Sequence, residues 1–485
     1  MRKMNLFGLA ARYESVSPSE TGPPAILVPM RVMVLLLAIT TAPPSGAQTA
    51  GPLRDYVALA RTAPPEFTAD ALLRLAAGPL APPAKRIALL DEAFETAASA
   101  TWKIRLTPAI NNLHTDSRDG MLYDAMALEL DALSLQCRVV RAVLPLNAAR
   151  ARELFTRIPP PRVPAYSCKD PLVARPDIYY QVAGELVKGA FTAEERRKGE
   201  DLRFIETLAR TATSVVQLEP VAELIQAAST NSEGYSNLVS AFASALGAVD
   251  VSDRAFRLPF GLNQRIWDMV AQCRKHEISL DALAQAWRAT LVRHFGGVRC
   301  ADNFLRGRVP NATGAAADPL ARTLDFPRLA PISDEEAKPL KIVDEMPEQH
   351  DYWQTAPARS AAATLRSLRA SPDKGAGVLT LVQELDAWRP DAEASPIDHF
   401  QQVGMVYAEL IPMAPAGTIR DQVIARYVAF LLASAIQRES PVEWYQAAAT
   451  VARRSADAGE RVWQEYESSG NPILLLYARL RKMPH

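Results

Sequence analysis

The spacing of apolar residues is helical along most of the chain. Apolar side chains recur every three or four residues, which places them on one face of an α-helix. The longest such stripe predicts a single helix over residues 122–144 and consists of Leu122, Met126, Leu130, Leu133, Cys137, Val140 and Leu144. Segments in which apolar and polar residues alternate, as in a half-buried strand, are hard to find. The pattern therefore predicts an all-α protein.

Short turns rich in Pro, Gly, Asn and Ser separate the other predicted helices. One begins after Asn147, a residue type that caps helix N-termini, and ends before Pro159. The others before Cys300 are predicted at 53–62, 68–77, 83–100, 177–190, 193–215, 219–229, 233–247, 260–275 and 279–295. Those after Cys300 are predicted at 358–370, 375–388, 397–412, 417–437, 440–454, 456–468 and 471–482.

Consecutive helices with short connections favour an arrangement of hairpins. We expect irregular helical hairpins stacked as an α-solenoid-like array, in which each hairpin buries its apolar face against its neighbours. The pattern of Trp, Leu-Gly, Tyr, Ala, Phe and Pro that marks tetratricopeptide repeats does not occur at a fixed period. The same helices are compatible with an α/α ring or with a compact multi-helix globule.

Helical periodicity stops after Cys300 and resumes near residue 358. The prolines in this stretch leave no room for a long helix, and they are Pro310, Pro319, Pro327, Pro331, Pro339 and Pro347. We interpret residues 301–357 as a Pro-rich linker or a long surface loop. It divides a helical-hairpin domain with four cysteines, residues 48–300, from a C-terminal helical domain, residues 358–485.

Residues 30–48 have the features of an export signal. Arg31 precedes an apolar run at residues 32–39 that is too short to span a bilayer. The small residues that a signal peptidase requires follow at Ser45, Gly46 and Ala47. We therefore predict cleavage after Ala47. The alternative is a short hydrophobic core segment in a cytosolic protein.

Residues 1–29 resemble neither a domain nor a membrane anchor. We interpret Met30 as the true start of translation and residues 1–47 as an N-terminal extension plus signal peptide. The mature chain is then exported, to the periplasm or the extracellular space. After Ala47 no apolar stretch approaches twenty residues, so we predict no transmembrane segment in the mature chain.

Export changes the interpretation of the four cysteines, because disulfide bonds persist in oxidising compartments. Gln-Cys-Arg occurs in two predicted helices, around Cys137 and Cys273, and each is followed in a loop by Cys-x-Asp, at Cys168 and Cys300. Either duplication of a helical module or chance explains this correspondence. We favour the pairs Cys137–Cys168 and Cys273–Cys300, since each ties a loop to the helix before it. The alternative pairs Cys168 with Cys300 and leaves both helix cysteines as buried apolar residues.

A zinc site is an alternative interpretation of the region around Cys273 and Cys300. Cys273 and His276 lie one helical turn apart, and His294 lies six residues before Cys300. Two cysteines and two histidines can hold zinc in a tetrahedral site, but only when all four side chains converge. We favour disulfide bonds over this metal site, because a disulfide requires only two side chains to meet.

Sequence motifs of the common catalytic classes are missing. We find no Gly-x-Ser-x-Gly, no Gly-x4-Gly-Lys, no Gly-x-Gly-x2-Gly and no His-Glu-x2-His. We therefore name no catalytic residue and expect no cofactor. The acidic loop at residues 114–120 lacks the ligand spacing and the distal Glu of a calcium loop. We interpret its Asp119 as the cap of the helix that follows.

Charge narrows the choice of partner. Lysines and arginines together number 54, as do aspartates and glutamates, and this balance argues against a nucleic-acid partner. We favour a non-catalytic exported helical scaffold that binds a protein or peptide partner, of unknown identity, in the cell envelope. The alternative is an envelope hydrolase that cleaves polysaccharide with paired carboxylates in a helical-ring cleft. No acidic pair in the sequence identifies such a site.

Overall fold

The predicted all-α class is confirmed, because the described part of the chain is predominantly helical with almost no strand. The computed structural model describes residues 50–108, 118–228, 230–250, 253, 260–296, 298–300, 333–337, 341–343, 356–389, 396–433, 451–452 and 454–482. Thr49–His485 form one compact unit. The predicted export signal and the N-terminal extension lie outside the described residues.

The helices before the Pro-rich connection form what we call the N-terminal set. They are α1 (Ala50–Ala60), α2 (Pro65–Ala77), α3 (Pro83–Ala97), α4 (Arg118–Met126), α5 (Ala132–Val143), α6 (Ala148–Thr156), α7 (Asp177–Gly189), α8 (Ala193–Arg197), α9 (Glu200–Arg210), α10 (Val215–Gln226), α11 (Ser232–Ala248), α12 (Phe260–Lys275) and α13 (Asp281–Gly296).

A short helix, α14 (Asp334–Ala337), lies within the predicted connection. The helices after it form what we call the C-terminal set. They are α15 (Ala356–Ala370), α16 (Gly375–Ala387), α17 (Pro396–Met413), α18 (Thr418–Ala433), α19 (Ala456–Ser468) and α20 (Pro472–Arg481). The helix predicted at residues 440–454 falls mostly outside the described residues.

Two pairs of three-residue strands accompany the described helices. β1 (Leu106–Pro108) pairs antiparallel with β2 (Leu172–Ala174), and β3 (Val298–Cys300) pairs in parallel with β4 (Lys341–Val343). Strands this short contain no repeat of the alternating pattern, so the sequence could not predict them.

Parts of the predicted connection contact the N-terminal set. α14 packs against α13, and the Arg288 guanidinium donates two hydrogen bonds to the Glu336 carboxylate, at 2.8 and 3.0 Å. β4 joins β3 directly after α13. Residues 333–337 and 341–343 are therefore attached to the helical core at the end of the N-terminal set.

The single helix predicted over residues 122–144 is wrong, because the chain forms α4 and α5 with a break between them. Glu129 has a left-handed backbone conformation with φ of 55°. Asp131 then caps α5, its carboxylate accepting a hydrogen bond from the Ser134 amide at 2.9 Å. This local cap starts a new helix, although the apolar stripe continues through Leu130 and Leu133, both of which are buried.

The helix predicted over residues 193–215 is also divided. α8 begins with a capping box between Thr192 and Glu195, and it ends before Gly199, which has a left-handed φ of 68°. α9 follows and buries Ile205 and Leu208. By contrast, the predicted cap at Asn147 is confirmed, since its side chain accepts a hydrogen bond from the Arg150 amide at 3.0 Å. Asp119 lies inside the first turn of α4.

The N-terminal set packs as two rows of neighbouring helices. One row runs from α3 to α5, α7, α10 and α12, and the other from α9 to α11 and α13. Contacts between the rows, such as those of α9 and α11 with α10, join them. Helices that are alternate in sequence therefore lie next to each other, as in a stack of hairpins.

The C-terminal set continues this packing and returns to the start of the chain. α15 packs on α17, α16 on α18, α18 on α19, and α19 on α20. α20 then packs on both α1 and α2. One connected hydrophobic core, from Leu53 in α1 to Leu480 in α20, includes residues of both sets.

Candidate functional site

Two of the four cysteines are free and lie in the core. Cys137 and Cys273 are fully buried thiols on the apolar faces of α5 and α12. Burial raises the pKa of the Cys273 thiol to about 11 and raises the pKa of the Cys137 thiol even further above its usual range. Both remain protonated and therefore unreactive at neutral pH.

The preferred pairing of the cysteines is wrong, because each predicted pair requires Cys137 or Cys273. Cys168 is buried in the loop before β2 and takes part in a disulfide. The backbone of Cys300 ends β3, but its side chain lies outside the described residues.

The suggested zinc set is only partly described. Cys273 lies in the core, and the His276 ring stacks on the Tyr235 ring with 5.3 Å between centroids. The side chains of His294 and Cys300 lie outside the described residues, so convergence of all four is not tested. Within the described residues, no three His, Cys, Asp or Glu side chains are grouped as metal ligands would be.

Charged side chains gather around a buried carboxylate where α2, α5 and α20 meet. At its centre the Asp70 carboxylate is only 1% exposed, and it accepts hydrogen bonds from Arg74 Nε at 2.8 Å and from Arg138 Nη2 at 2.7 Å. The Tyr477 hydroxyl donates a third hydrogen bond, at 2.9 Å. We call these four residues the Asp70 cluster. It connects the first hairpin of the chain to its last helix.

The electrostatics of the Asp70 cluster favour the ionised carboxylate. Burial alone would raise the pKa of Asp70, but the charges of Arg74 and Arg138 and the hydrogen bonds from Arg138 and Tyr477 outweigh it and lower that pKa. Burial and the neighbouring Asp70 charge raise the pKa of Tyr477 well above its usual value. The Tyr477 hydroxyl therefore keeps its proton and remains a donor.

Glu66 lies one turn before Asp70 on α2 and is also fully buried. Its Oε1 accepts hydrogen bonds from the Thr101 amide at 2.8 Å and from the Thr101 hydroxyl at 3.1 Å. Glu66 and Asp70 are thus two carboxylates on one face of a helix, as a hydrolase would require. Neither can reach a polysaccharide, because the exposure of each is 1% or less. Their contacts indicate a structural role.

A second buried polar network lies at the N-terminus of α10. The Gln217 side chain accepts hydrogen bonds from the amides of Thr213 and Ser214, both at 2.9 Å. It also donates to the Pro161 carbonyl at 2.9 Å and to the Tyr180 hydroxyl at 3.2 Å. One side chain therefore holds together the cap of α10, the proline-rich turn after α6, and α7.

An open groove of about 530 Å³ lies on the surface between α6 and α9. We call it the α6–α9 groove. Its lining consists of Ala149, Arg152, Glu153 and Thr156 from α6, Phe191 from the turn after α7, and Glu200, Arg203, Phe204 and Thr207 from α9. Each helix contributes residues spaced by three, one and three positions, which form one helical face.

Aromatic side chains form the apolar part of this groove. Phe204 lies 5.6 Å from Phe191 and 5.6 Å from the buried Phe155, measured between ring centroids. The Arg152 guanidinium lies 4.8 Å above the Phe191 ring and pairs with Glu195 at 2.6 Å. This contact orders the arginine and covers one side of the aromatic surface.

The charged side chains on the two walls of the groove are nearly balanced. The hydrogen bond from Arg152, together with the Thr192 amide, lowers the pKa of Glu195 to about 2, so this carboxylate stays ionised. Glu153 pairs with Arg150 at 2.6 Å, and Arg203 donates to the Lys198 carbonyl at 3.2 Å. Each wall of the groove carries one acidic and one basic side chain.

No family model matches the chain, and comparison with curated proteins and with solved structures finds no match. Within the described residues, no helix combines the length and the apolar character needed to cross a bilayer.

Proposed function

We propose that this protein is an exported helical scaffold that binds a protein or peptide partner in the cell envelope, and that the α6–α9 groove is where the partner binds. The observation that supports this most is the groove itself. It combines a partly exposed aromatic floor with charged walls on two helices of the array. Binding of this kind requires no catalytic residues.

The dimensions of the groove fit a short stretch of extended chain. Ala149 and Thr156 lie seven residues apart on α6, a distance of roughly 10 Å along the helix. An extended peptide covers this distance with about three residues. The volume lies within the range of small-ligand sites, but an open groove favours a chain that enters and leaves over an enclosed small molecule.

The chemistry of the groove specifies the kind of peptide. An apolar side chain of the partner would cover Phe191 and Phe204. Because each wall carries both signs of charge, the flanking residues of a matching peptide would include an acid and a base. Glu200 and Arg203 are the groove charges that such a peptide would pair with first, since Arg152 and Glu153 already hold ionic partners.

The contacts between alternate helices support the α-solenoid-like array as the form of this scaffold. Stacked hairpins offer long surfaces between neighbouring helices, which such proteins use for binding. The return of α20 to α1 and α2 is also compatible with a closed ring. The α6–α9 groove is open to solvent in the structure.

The envelope hydrolase is a second candidate, favoured by the presence of Glu153 and Glu200 on opposite walls of one groove. A general acid, however, needs a carboxyl that burial keeps protonated. The Glu153 side chain is 59% exposed and is bound by Arg150. The scaffold is therefore the better proposal. Polysaccharide cleavage that disappears in Glu200→Gln would replace it with the hydrolase.

Plugging the groove is expected to abolish partner binding. Ala149 is exposed on α6, so Ala149→Trp should fold normally and fill the groove. We expect the wild-type mature chain, residues 48–485, to capture a reproducible partner from an envelope extract of its source. The variant should retain roughly a tenth of that binding or less.

The matched control is Ala363→Trp, which places the same side chain at an exposed position of α15. It should bind the partner as the wild type does, and circular dichroism should show equal helix content in all three proteins. If both tryptophan variants bind equally well, the groove is not the binding site. If the wild type captures nothing reproducible, the scaffold proposal fails.

We propose a disulfide between Cys168 and Cys300, because disulfide bonds persist in the oxidising compartments that an exported protein reaches. The chain has four cysteines, two of them are free, and Cys168 takes part in a disulfide. It is the alternative pairing that we predicted from the sequence. It would join the loop before β2 to the strand after α13.

Peptide mapping of the secreted protein, alkylated without reductant, should identify one linked pair and two alkylated thiols after unfolding. The linked peptides should contain Cys168 and Cys300. Cys168→Ser should release one further thiol, that of Cys300, and so give three alkylated thiols, whereas Cys137→Ser should leave the linked pair intact. Four free thiols in the wild-type protein would contradict both the pairing and the export proposal.

A further inference from the structure

The order of the helices in space differs from their order in the chain. α20 is the last helix of the chain, yet it packs between α19 of its own set and the first hairpin of the N-terminal set. In space, the helices of the C-terminal set therefore lead up to α20. α20 packs against α1 and α2, and the other helices of the N-terminal set follow these two.

The contact between the sets is centred on Tyr477. Its hydroxyl donates to Asp70, and its ring meets the Phe67 ring edge-on with 5.5 Å between centroids. The Arg74 guanidinium lies 5.7 Å from the centroid of the Tyr477 ring. Because Tyr477 and Asp70 are both buried, their hydrogen bond is protected from competition with water.

The rest of α20 adds an apolar contribution. Ile473, Leu474, Leu476 and Leu480 are all buried. On its other side α20 is fixed to α19, where Arg481 lies over the Trp463 ring and pairs with Glu460 at 2.5 Å. α20 is thus buried on several faces, as a helix inserted between two bodies would be.

We propose that the N-terminal set is a docking surface for the C-terminal set, with α20 bound at the Asp70 cluster, and that this contact holds the two sets together without the covalent connection. The partner is residues 356–482 of this same chain. The surface is formed by α1 and α2, and the buried Asp70 of α2 accepts its third described hydrogen bond only when Tyr477 is present.

Cutting the full chain after it has folded tests this directly. A protease site placed within residues 344–355 separates the pieces after β4, so that α14 and both small sheets stay with the N-terminal piece. All four cysteines also stay with that piece, so no disulfide can join the two. We expect the cut protein to elute as one particle of unchanged mass on native chromatography. Separation of the pieces would overturn the proposal.

Tyr477→Phe tests the role of the Asp70 cluster. Loss of a hydrogen bond to a buried charge should weaken association of the cut pieces roughly tenfold to a hundredfold. The matched control is Tyr466→Phe, which removes another buried hydroxyl whose bond, to the Tyr427 hydroxyl, lies within the C-terminal set. We expect that variant to dissociate as the wild type does. Equal dissociation of both variants would show that Asp70 does not anchor α20.

Discussion

Asp70→Asn is expected to lower the free energy of unfolding by about 3 kcal/mol at neutral pH. Removing one partner of a buried ion pair typically costs about 3 to 5 kcal/mol, because the remaining charge is left without its partner. The lower end applies here, since the Arg74 and Arg138 side chains are 45% and 23% exposed and can be partly hydrated. Urea denaturation of both proteins measures the difference.

The effect of Asp70→Asn should depend on pH in a defined direction. The folded state lowers the pKa of Asp70 below its usual value of 3.8. Its contribution to stability is therefore present above that value and is lost as the pH falls through the folded pKa. The difference between wild type and variant should be constant from about pH 7 to pH 5 and should shrink below about pH 4.

Asp91→Asn is the control, because it makes the same substitution in an ion pair nearer the surface. Asp91 pairs with Arg150 at 3.0 Å, and their side chains are 33% and 26% exposed. Such pairs contribute about 1 kcal/mol or less. A loss in Asp70→Asn no greater than in Asp91→Asn would show that the Asp70 cluster is not a main stabilising contact.

Gln217→Leu is expected to cost about 2 to 4 kcal/mol of unfolding free energy. Leucine has a similar volume but cannot replace any of the four hydrogen bonds of Gln217. The buried Ser214 amide and the buried Pro161 carbonyl would lose their side-chain partner, as would the partly buried Thr213 amide, and each unsatisfied buried group costs about 1 to 3 kcal/mol before local relaxation. Because the amides lie at the start of α10, hydrogen exchange there should also speed up.

Gln226→Leu provides the comparison at the other end of the same helix. Its side chain donates a single described hydrogen bond, to the Arg265 carbonyl at 2.7 Å, and it is only partly buried. We expect a loss of about 1 kcal/mol or less. Equal losses for the two glutamines would mean that the number of hydrogen bonds made by Gln217 does not determine its contribution.

Helix positions were largely predictable because they depend on periodicity and on local end signals. The helix at 456–468 begins and ends as predicted, and α12 also has the predicted bounds. The errors occur where a local cap or a left-handed residue interrupts a continuous apolar stripe, at Glu129 and Gly199. A stripe of apolar residues indicates which face of the chain is buried. It does not indicate whether the backbone between two buried residues remains helical.

The buried charges and the groove were not predictable, because both depend on helices that are distant in sequence. Asp70 and Arg138 each read as an ordinary charged residue on a helix surface. The only local signal for Asp70 is its position among buried apolar residues such as Ala69 and Ala71. The α6–α9 groove requires the faces of two helices that three other segments separate in the chain.

The preferred cysteine pairing was wrong because the sequence does not show in which direction a thiol on a helix points, and α5 is an example. Successive residues on a helix point about 100° apart, so Cys137 and Arg138 point in different directions. Cys137 faces the core, whereas Arg138 reaches Asp70. Matching Gln-Cys-Arg triplets therefore indicated equivalent positions in two helices without indicating the direction of the thiols.

β3 and β4 pair in parallel and fix both ends of the stretch between them. Changes in the length of that stretch should therefore leave the helices in place. Val298 lies opposite Lys341, so the two described ends of the stretch between β3 and β4 are neighbours in space, and α14 within that stretch packs against α13. Residues added to or deleted from the stretch between them leave both fixed ends where they are. Natural relatives could therefore differ widely in length at this point while keeping the same helices in place. An engineer could insert a reporter domain there without separating the two sets.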